Sequence, residues 1–395
     1  MATLVLQAAG QAVGGFLGPV GAIVGRAAGA LAGHMIDQRL FGDNSTRQVG
    51  RIDELTVQTA SEGDALPKVY GRMRMAGTVV WATDFEEHVN TTSGGKGGGP
   101  QVEEFHYTAS FAVAIAEGPV ARIGRVWADG EPLDLTQVTM RVHLGEDDQE
   151  PDDLIEAIEG VAPAFRGTAY VVFEHLPVGP FGNRIPQMTF EVIRPVGALE
   201  NQVRAVTLIP GATEFGYHPA EVKRVMAPGE AGTDNRHLGV APSDFEASLD
   251  ELQALCPALE QVALVVAWFG DDLRADQCTI QPCVEAPERP TDVAWSVGGL
   301  DRASAKLVSR DEDERPNYGG TPSDNAVFAA IQSIRARGLK VVFYPFILMD
   351  IPAGNGLEDP YGGGEQVPFP WRGRITVAPA PGRDGPPDGT AAGGG

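Results

Sequence analysis

Apolar and polar positions change their rhythm along the 395-residue chain, and each rhythm predicts a different kind of element. The opening stretch carries no charged residue from Met1 to Gly25, and glycine recurs at 10, 14, 18, 21, 25, 29 and 33. Spacing near four predicts an apolar helix, or two broken at Pro19, with Gly14, Gly18, Gly25 and Gly29 forming a smooth face for close backbone approach. Leu17 and Ile23 belong to the apolar ridge beside it. Each interior glycine costs a helix ~1 kcal/mol against alanine, so such a segment needs a packing partner.

From about Arg51 the rhythm shortens to strands and turns. ALPKVYGRMRMAGTVVWAT (65–83) reads as two strands around Gly71, with Val79, Val80 and Trp81 in the second. TTSGGKGGGPQ (91–101) reads as a flexible exposed loop. Alternation at Phe105, Tyr107, Ala109, Phe111, Val113 and Ile115 predicts a long strand, followed by a turn at Glu117–Pro119, another strand, and a tight turn at Asp129-Gly130. A short helix over Asp152–Ile158 precedes strands at 168–176 and 187–195, with the turn-rich PVGPFGNRIPQ between them.

After about Ala198 helical and strand periods alternate. Apolar positions at Phe245, Leu249, Leu252 and Leu255 predict a helix over 244–259, with Asp244 as its N-cap. The continuous apolar run Val262 to Phe269 follows as a buried parallel strand. A second helix from Ser323 or Asp324 to Arg337 stops at Gly338, and Lys340 to Met349 is the next buried strand. This alternation indicates βα units and a parallel sheet.

The length fits two or three domains. A net charge of −23 argues against a protein whose main partner is nucleic acid. Three cysteines are too few for a disulfide framework or a four-ligand zinc site, so no metal and no cofactor is expected. No Lys or Arg precedes Arg26, which disfavours a secretory signal, and Gln7, Gln11, Pro19 and the glycines dilute the hydropathy of a transmembrane helix. GGKGGG lacks the Walker spacing, because Lys96 is followed by Gly97 in a run between strands.

Several blocks together resemble a known family: Tyr70–Trp81, the glycine loop, Tyr107–Pro119, Val126–Gly130 and Phe181–Val192, about 120 residues in all. They look like the tail-tip or host specificity protein of siphophages, and most like that of gene transfer agents, phage-like particles that package host DNA. The resemblance implies a multidomain chain with three parts. Residues 1–43 would be an apolar helical plug or penetration segment. Residues 44–197 would be β-rich tail hub, and residues 198–395 an incomplete, TIM-barrel-like α/β domain similar to glycoside hydrolases.

It also implies a homotrimeric ring that extends the tail channel in a virion tail tip, assembled in the bacterial cytoplasm and released. Distal tail and hub proteins, the host envelope and its surface glycans would be partners, with DNA passing in transit and the N-terminus inserting in a membrane on delivery. The alternative is a glycoside hydrolase acting on surface or cell-wall polysaccharide. Its weak candidates are the strand-end carboxylates Asp271, Asp272 and Asp350. A third reading makes residues 1–36 a membrane anchor. The Pro/Gly-rich end of the chain suggests a piece of something longer.

Overall fold

A computed structural model of the protein describes residues 47–49, 65–92, 102–209, 213–227 and 229–383. The apolar opening segment, including Gly14, Leu17, Gly18, Ile23, Gly25 and Gly29, lies outside the described residues, as does the glycine loop around Lys96. In chain order the first strands are β1 (Arg47–Val49), β2 (Gly71–Ala76), β3 (Thr78–Ala82), β4 (Glu86–Thr92), β5 (Val102–Glu117), β6 (Arg122–Ala128), β7 (Glu131–Pro132) and β8 (Thr139–His143). Helix α1 (Asp153–Glu159) precedes β9 (Thr168–Pro177), β10 (Met188–Arg194), β11 (Ala205–Leu208), β12 (Lys223–Ala227) and β13 (Glu230–Thr233). Then come α2 (Asp244–Leu255), β14 (Gln261–Gly270), five two-residue strand pieces of which β15 (Ile280–Gln281) is the first, α3 (Asp324–Ala336) and a long last strand at Lys340–Met349.

The chain divides into two compact units. Among the described residues the first comprises 47–49, 78–92, 102–113 and 172–187. Its centre is β5, which carries β1 in parallel and β4 antiparallel, with β3 also paired to it. The expected alternation is present: Phe105, Tyr107, Ala109, Phe111 and Val113 are all buried. Ser110 and Ala112, on the opposite face, are buried as well, and their small size lets both faces close over. Phe111 stacks on Phe173 at 5.1 Å, and the Ser110 hydroxyl accepts from His175 N at 3.0 Å. The break between the two strands of 65–83 falls at Gly77, not Gly71, and β2 belongs to the other unit.

Among the described residues the second unit comprises 65–77, 114–171, 188–209, 213–227 and 229–383. One of its sheets has the order β2-β10-β6-β7, antiparallel throughout. The β6–β7 hairpin turns through Asp129 and Gly130, with φ of 51° and 93°, the left-handed pair that a tight two-residue hairpin requires. Backbones meet closely where β5 ends. A Cβ on Gly118 would sit 2.6 Å from Cα of Gly145 and 2.8 Å from the Leu144 carbonyl oxygen, so only glycine fits there.

Helix α1 is seated by a buried carboxylate. Asp152 caps it by accepting from Leu154 N at 3.0 Å, and also takes Arg141 Nε at 2.7 Å and His143 Nε2 at 3.0 Å. Burial alone would raise the Asp152 pKa. The Arg141 and His143 hydrogen bonds and the Arg141 charge outweigh it and hold the carboxyl at about 2. His143 in turn stacks flat on Tyr170 at 4.2 Å.

The parallel sheet has the order β11-β14 followed by the last strand, Lys340–Met349, which pairs with β14 over its whole length. Both neighbours run parallel to β14. Helices α2 and α3 cover one face, joining Phe245, Leu249, Ala330 and Ile334 to Val262, Leu264 and Val266 in one core. Ser243, not Asp244, caps α2, accepting from Glu246 N, while Asp244 turns back to take His237 N at 2.9 Å. Tyr217 is buried with its hydroxyl 2.7 Å from the Leu208 carbonyl and 2.9 Å from that of Val265, which ties the loop before β12 to both β11 and β14.

This architecture corrects the fold expected from sequence. The α/β region is not a TIM-barrel-like domain: three parallel strands with antiparallel β15 on β14 form an open sheet, and among the described residues the α-helices packed on it are α2 and α3. Between β14 and α3, where another βα unit would be needed, the chain makes turns and two-residue strands. That segment is organised by charge instead of apolar periodicity. Glu214 is fully buried, pairs with Arg302 and accepts from Glu285 N at 2.9 Å. Arg289 links Asp234 and Glu285 at 3.3 and 3.0 Å. The expected apolar helix falls outside the described residues; α1, α2 and α3 are the α-helices among them, and none is long and apolar enough to cross a membrane.

Two outcomes test these contacts. Gly118→Ala should destabilise the protein by roughly 1–3 kcal/mol, the scale of a forced core clash, because backbone rather than a movable side chain lies in the way. Urea unfolding would measure it, and a loss below about 0.5 kcal/mol would remove the close-approach argument. For Asp152 the folded pKa lies below the unfolded value of about 3.9, so its contribution is present above that pH and lost as pH falls towards 2. Asp152→Asn should lower stability at pH 7 by on the order of 2 kcal/mol and flatten the fall between pH 5 and 2. Parallel unfolding curves for the two proteins across that range would contradict the assignment.

Candidate functional site

The strand-end carboxylates come to one end of the parallel sheet. Gly270 pairs with Met349, so Asp271 and Asp350 follow directly from neighbouring strands, and Asp350 N donates to the Gly270 carbonyl at 2.9 Å. Each carboxylate is taken up by donors nearby. Asp271 accepts from Thr279 N at 2.7 Å and lies 3.4 Å from Lys306 Nζ. Asp272 is buried, and Arg274 grips both its oxygens, with Nε at 3.0 Å and a terminal nitrogen at 2.6 Å; Gln366 Nε2 adds 2.8 Å. Burial opposes ionisation of Asp272, but these donors pull its pKa below the ordinary range. Asp350 accepts from both the backbone N–H and the hydroxyl of Ser309. In this geometry the three hold the loops that follow β14 and the last strand.

Beside them, on the sheet face away from the helices, is an apolar hollow of about 360 Å³ lined by Val265, Phe269, Tyr344, Phe346 and Leu348, with Asn317 and Tyr318 among its polar groups. Arg372 stacks over Phe346 at 3.7 Å. Among the described residues no group of three or more His, Cys, Asp or Glu side chains is placed to hold a metal ion.

A second constellation lies on the sheet β2-β10-β6. On the face that Glu191 shares, these strands carry Arg72, Arg74, Arg122 and Arg125, and Glu191 together with Glu251 and Asp250 of α2 supplies carboxylates to all of them but Arg74. A bulge opposite Glu191 places both Gly124 and Arg125 across from it, since the register slips between Phe190 and Val192. Glu191, 5% exposed, accepts from Arg125 N, Nε and a terminal nitrogen at 3.2, 3.1 and 2.9 Å, and from Arg72 at 3.2 Å. The Arg125 hydrogen bonds, partly offset by burial, hold its carboxyl at about 2. A side chain on Gly124 would meet the Glu191 carboxylate at 2.6 Å, so the bulge glycine leaves the space this carboxylate occupies.

Arg72 also pairs with Glu251 of α2, and Arg122 reaches Asp250 at 4.0 Å. Between this sheet and α2 runs a groove of about 480 Å³ lined by Arg72, Arg122, Arg125, Glu191 and Glu251 among others. Arg74 differs from its neighbours. It donates to Thr189 Oγ1 at 2.8 Å and stacks over Trp127 at 4.1 Å, with Arg125 over the same ring at 5.3 Å, and it has no carboxylate partner among the described residues. Stacking holds a guanidinium without neutralising it. Chemically this face can receive carboxylates or another acidic surface. Sequence reasoning missed it, although Arg alternation in GRMR and the spacing in RIGRVW were the available signal.

No family model matches the chain. No curated protein matches it either. Among solved structures, it is similar to a chain described as "Virion of native gene transfer agent (GTA) particle". The identity is 41%, over 50% of this chain and 41% of that one, with a TM-score of 0.30. At that TM-score the superposition carries no argument about fold, and the likeness rests on sequence. This chain thus spans less than half the length of the virion chain that it matches. Over half of its own length, the protein is alike in sequence to a component of a phage-like particle.

Proposed function

We propose that the protein is a structural component of a phage-like particle, acting at the tail tip as the hub that continues the tail channel, in a ring of three copies. The 41% identity to a gene transfer agent virion chain over half the sequence carries the reading. The site chemistry supports it. The strand-end carboxylates anchor loops, and the sheet β2-β10-β6 presents Arg74, a guanidinium with no carboxylate partner among the described residues, in a position suited to another protein surface. In this role residues 44–197 form the ring. The glycine-spaced apolar segment 1–43 occupies the channel or enters the host membrane on delivery, and DNA only passes through. Distal tail proteins and the host envelope with its surface glycans are the partners of this assembly.

Electron microscopy tests it at two levels. Purified protein at tens of micromolar should form three-fold rings in negative stain, and gold-labelled antibody to it should decorate one end of the tails of isolated particles. A monodisperse monomer at that concentration would sink the ring, and label absent from particles would sink the virion role. Leu in place of both Gly25 and Gly29 raises helix propensity and hydropathy while blocking close approach. Particles carrying that change should assemble poorly or fail to deliver DNA; normal delivery would remove the packing role of the glycines.

A further inference from the structure

The arginine face of β2, β6 and β10 has a counterpart elsewhere in the same unit. Residues 146–156 contain Glu146, Asp147, Asp148, Glu150, Asp153 and Glu156, all exposed, with no basic residue among them and no cationic partner among the described residues. This stretch is held stiffly from beneath. Gln149 is buried, accepting from Gly145 N at 2.7 Å and donating to the Ala164 and Phe165 carbonyls at 2.9 and 3.0 Å. Arg166 Nε donates to the Gln149 carbonyl at 3.0 Å, and Asp152 is locked inward by Arg141 and His143. The outward carboxylates are therefore presented on a fixed frame, and exposed Ile158 and Val161 lie just beyond them.

We propose that the Arg74–Trp127 face of one copy docks the acidic segment 146–156 of a second copy, head to tail. The proposal rests on the ring reading above and names the contact that would build it. Three observations carry it. The unpaired groups of the two surfaces have opposite charge, Arg74 on one and the outward carboxylates of 146–156 on the other, so a second copy brings its own complement. Arg74 lacks a carboxylate while its stem and plane are already fixed by Thr189 and Trp127, which reduces the ordering cost of receiving one. The two faces are different surfaces of one chain, so their contact is heterologous, and heterologous contacts generate rings when the rotation closes. Charge would steer and register the contact, while the exposed apolar pair Ile158 and Val161 gives it non-polar area.

Sedimentation velocity and light scattering on the full chain test this. The parent should associate, and more weakly at 0.5 M than at 0.05 M salt. Arg74→Glu should weaken association at least tenfold, as should Asp147→Lys with Asp148→Lys. All three changes in one chain should restore it, since every contact then pairs Glu with Lys. Arg74→Gln keeps the stem and should fall between, with unfolding curves matching the parent because the side chain is exposed. Association unchanged in Arg74→Glu, or not regained in the triple variant, would overturn this contact while leaving the ring reading intact. A parent that stays monomeric at all salts and concentrations would overturn both.

Discussion

Glu191 sits nearly closed to solvent with two guanidiniums on it, and the arrangement of the arginine face follows from that carboxylate. A buried carboxylate without cations would be strongly disfavoured, so Arg125 and Arg72 must converge on it. Their convergence requires the β6 bulge and an empty Cβ position at Gly124. It also sets the direction in which Arg72 leaves the sheet towards Glu251 of α2. One side chain thereby joins three strands, and a helix through them, and leaves Arg74 on Trp127 as the cation with spare charge.

The same logic recurs wherever apolar periodicity runs out. Glu214 and Asp152 are buried acids that organise segments with little regular structure of their own, the first between β14 and α3 and the second around α1. Such networks contribute modestly to net stability and strongly to uniqueness once every member has a partner. Removing one member leaves a buried charge exposed to nothing. This explains how a chain rich in glycine and proline holds long connections in place.

Function reads differently at the two ends of the second unit. The carboxylates at the end of the parallel sheet are close in chain position to where α/β enzymes place their chemistry, yet each is filled by local donors. The arginine face, without any motif that suggests catalysis, keeps one guanidinium, Arg74, without a carboxylate partner among the described residues.

How much of this was legible in the sequence depends on the range of the forces involved. The alternation from Phe105 to Ile115 and the helical periods before β14 and Lys340–Met349 fix strand and helix directly, because burial of one face is a local property of the pattern. The tight turn at Asp129-Gly130 is likewise local, since its backbone angles suit few other residues. Closure of the sheet is not local. The apolar strands were legible, but whether further βα units follow depends on what replaces them, and here a Glu214-centred charge network does. The split of 65–83 between two units was invisible for the same reason, as was the face formed by Arg72, Arg74, Arg125 and Trp127. Those residues are up to 55 positions apart (127 − 72) and meet only because β10, remote from both β2 and β6 in sequence, pairs between them. Sequence determined which residues could be buried; the strand order of β2-β10-β6 decided which charges would share a surface, because pairing across the sheet is set by long-range register that no short window contains.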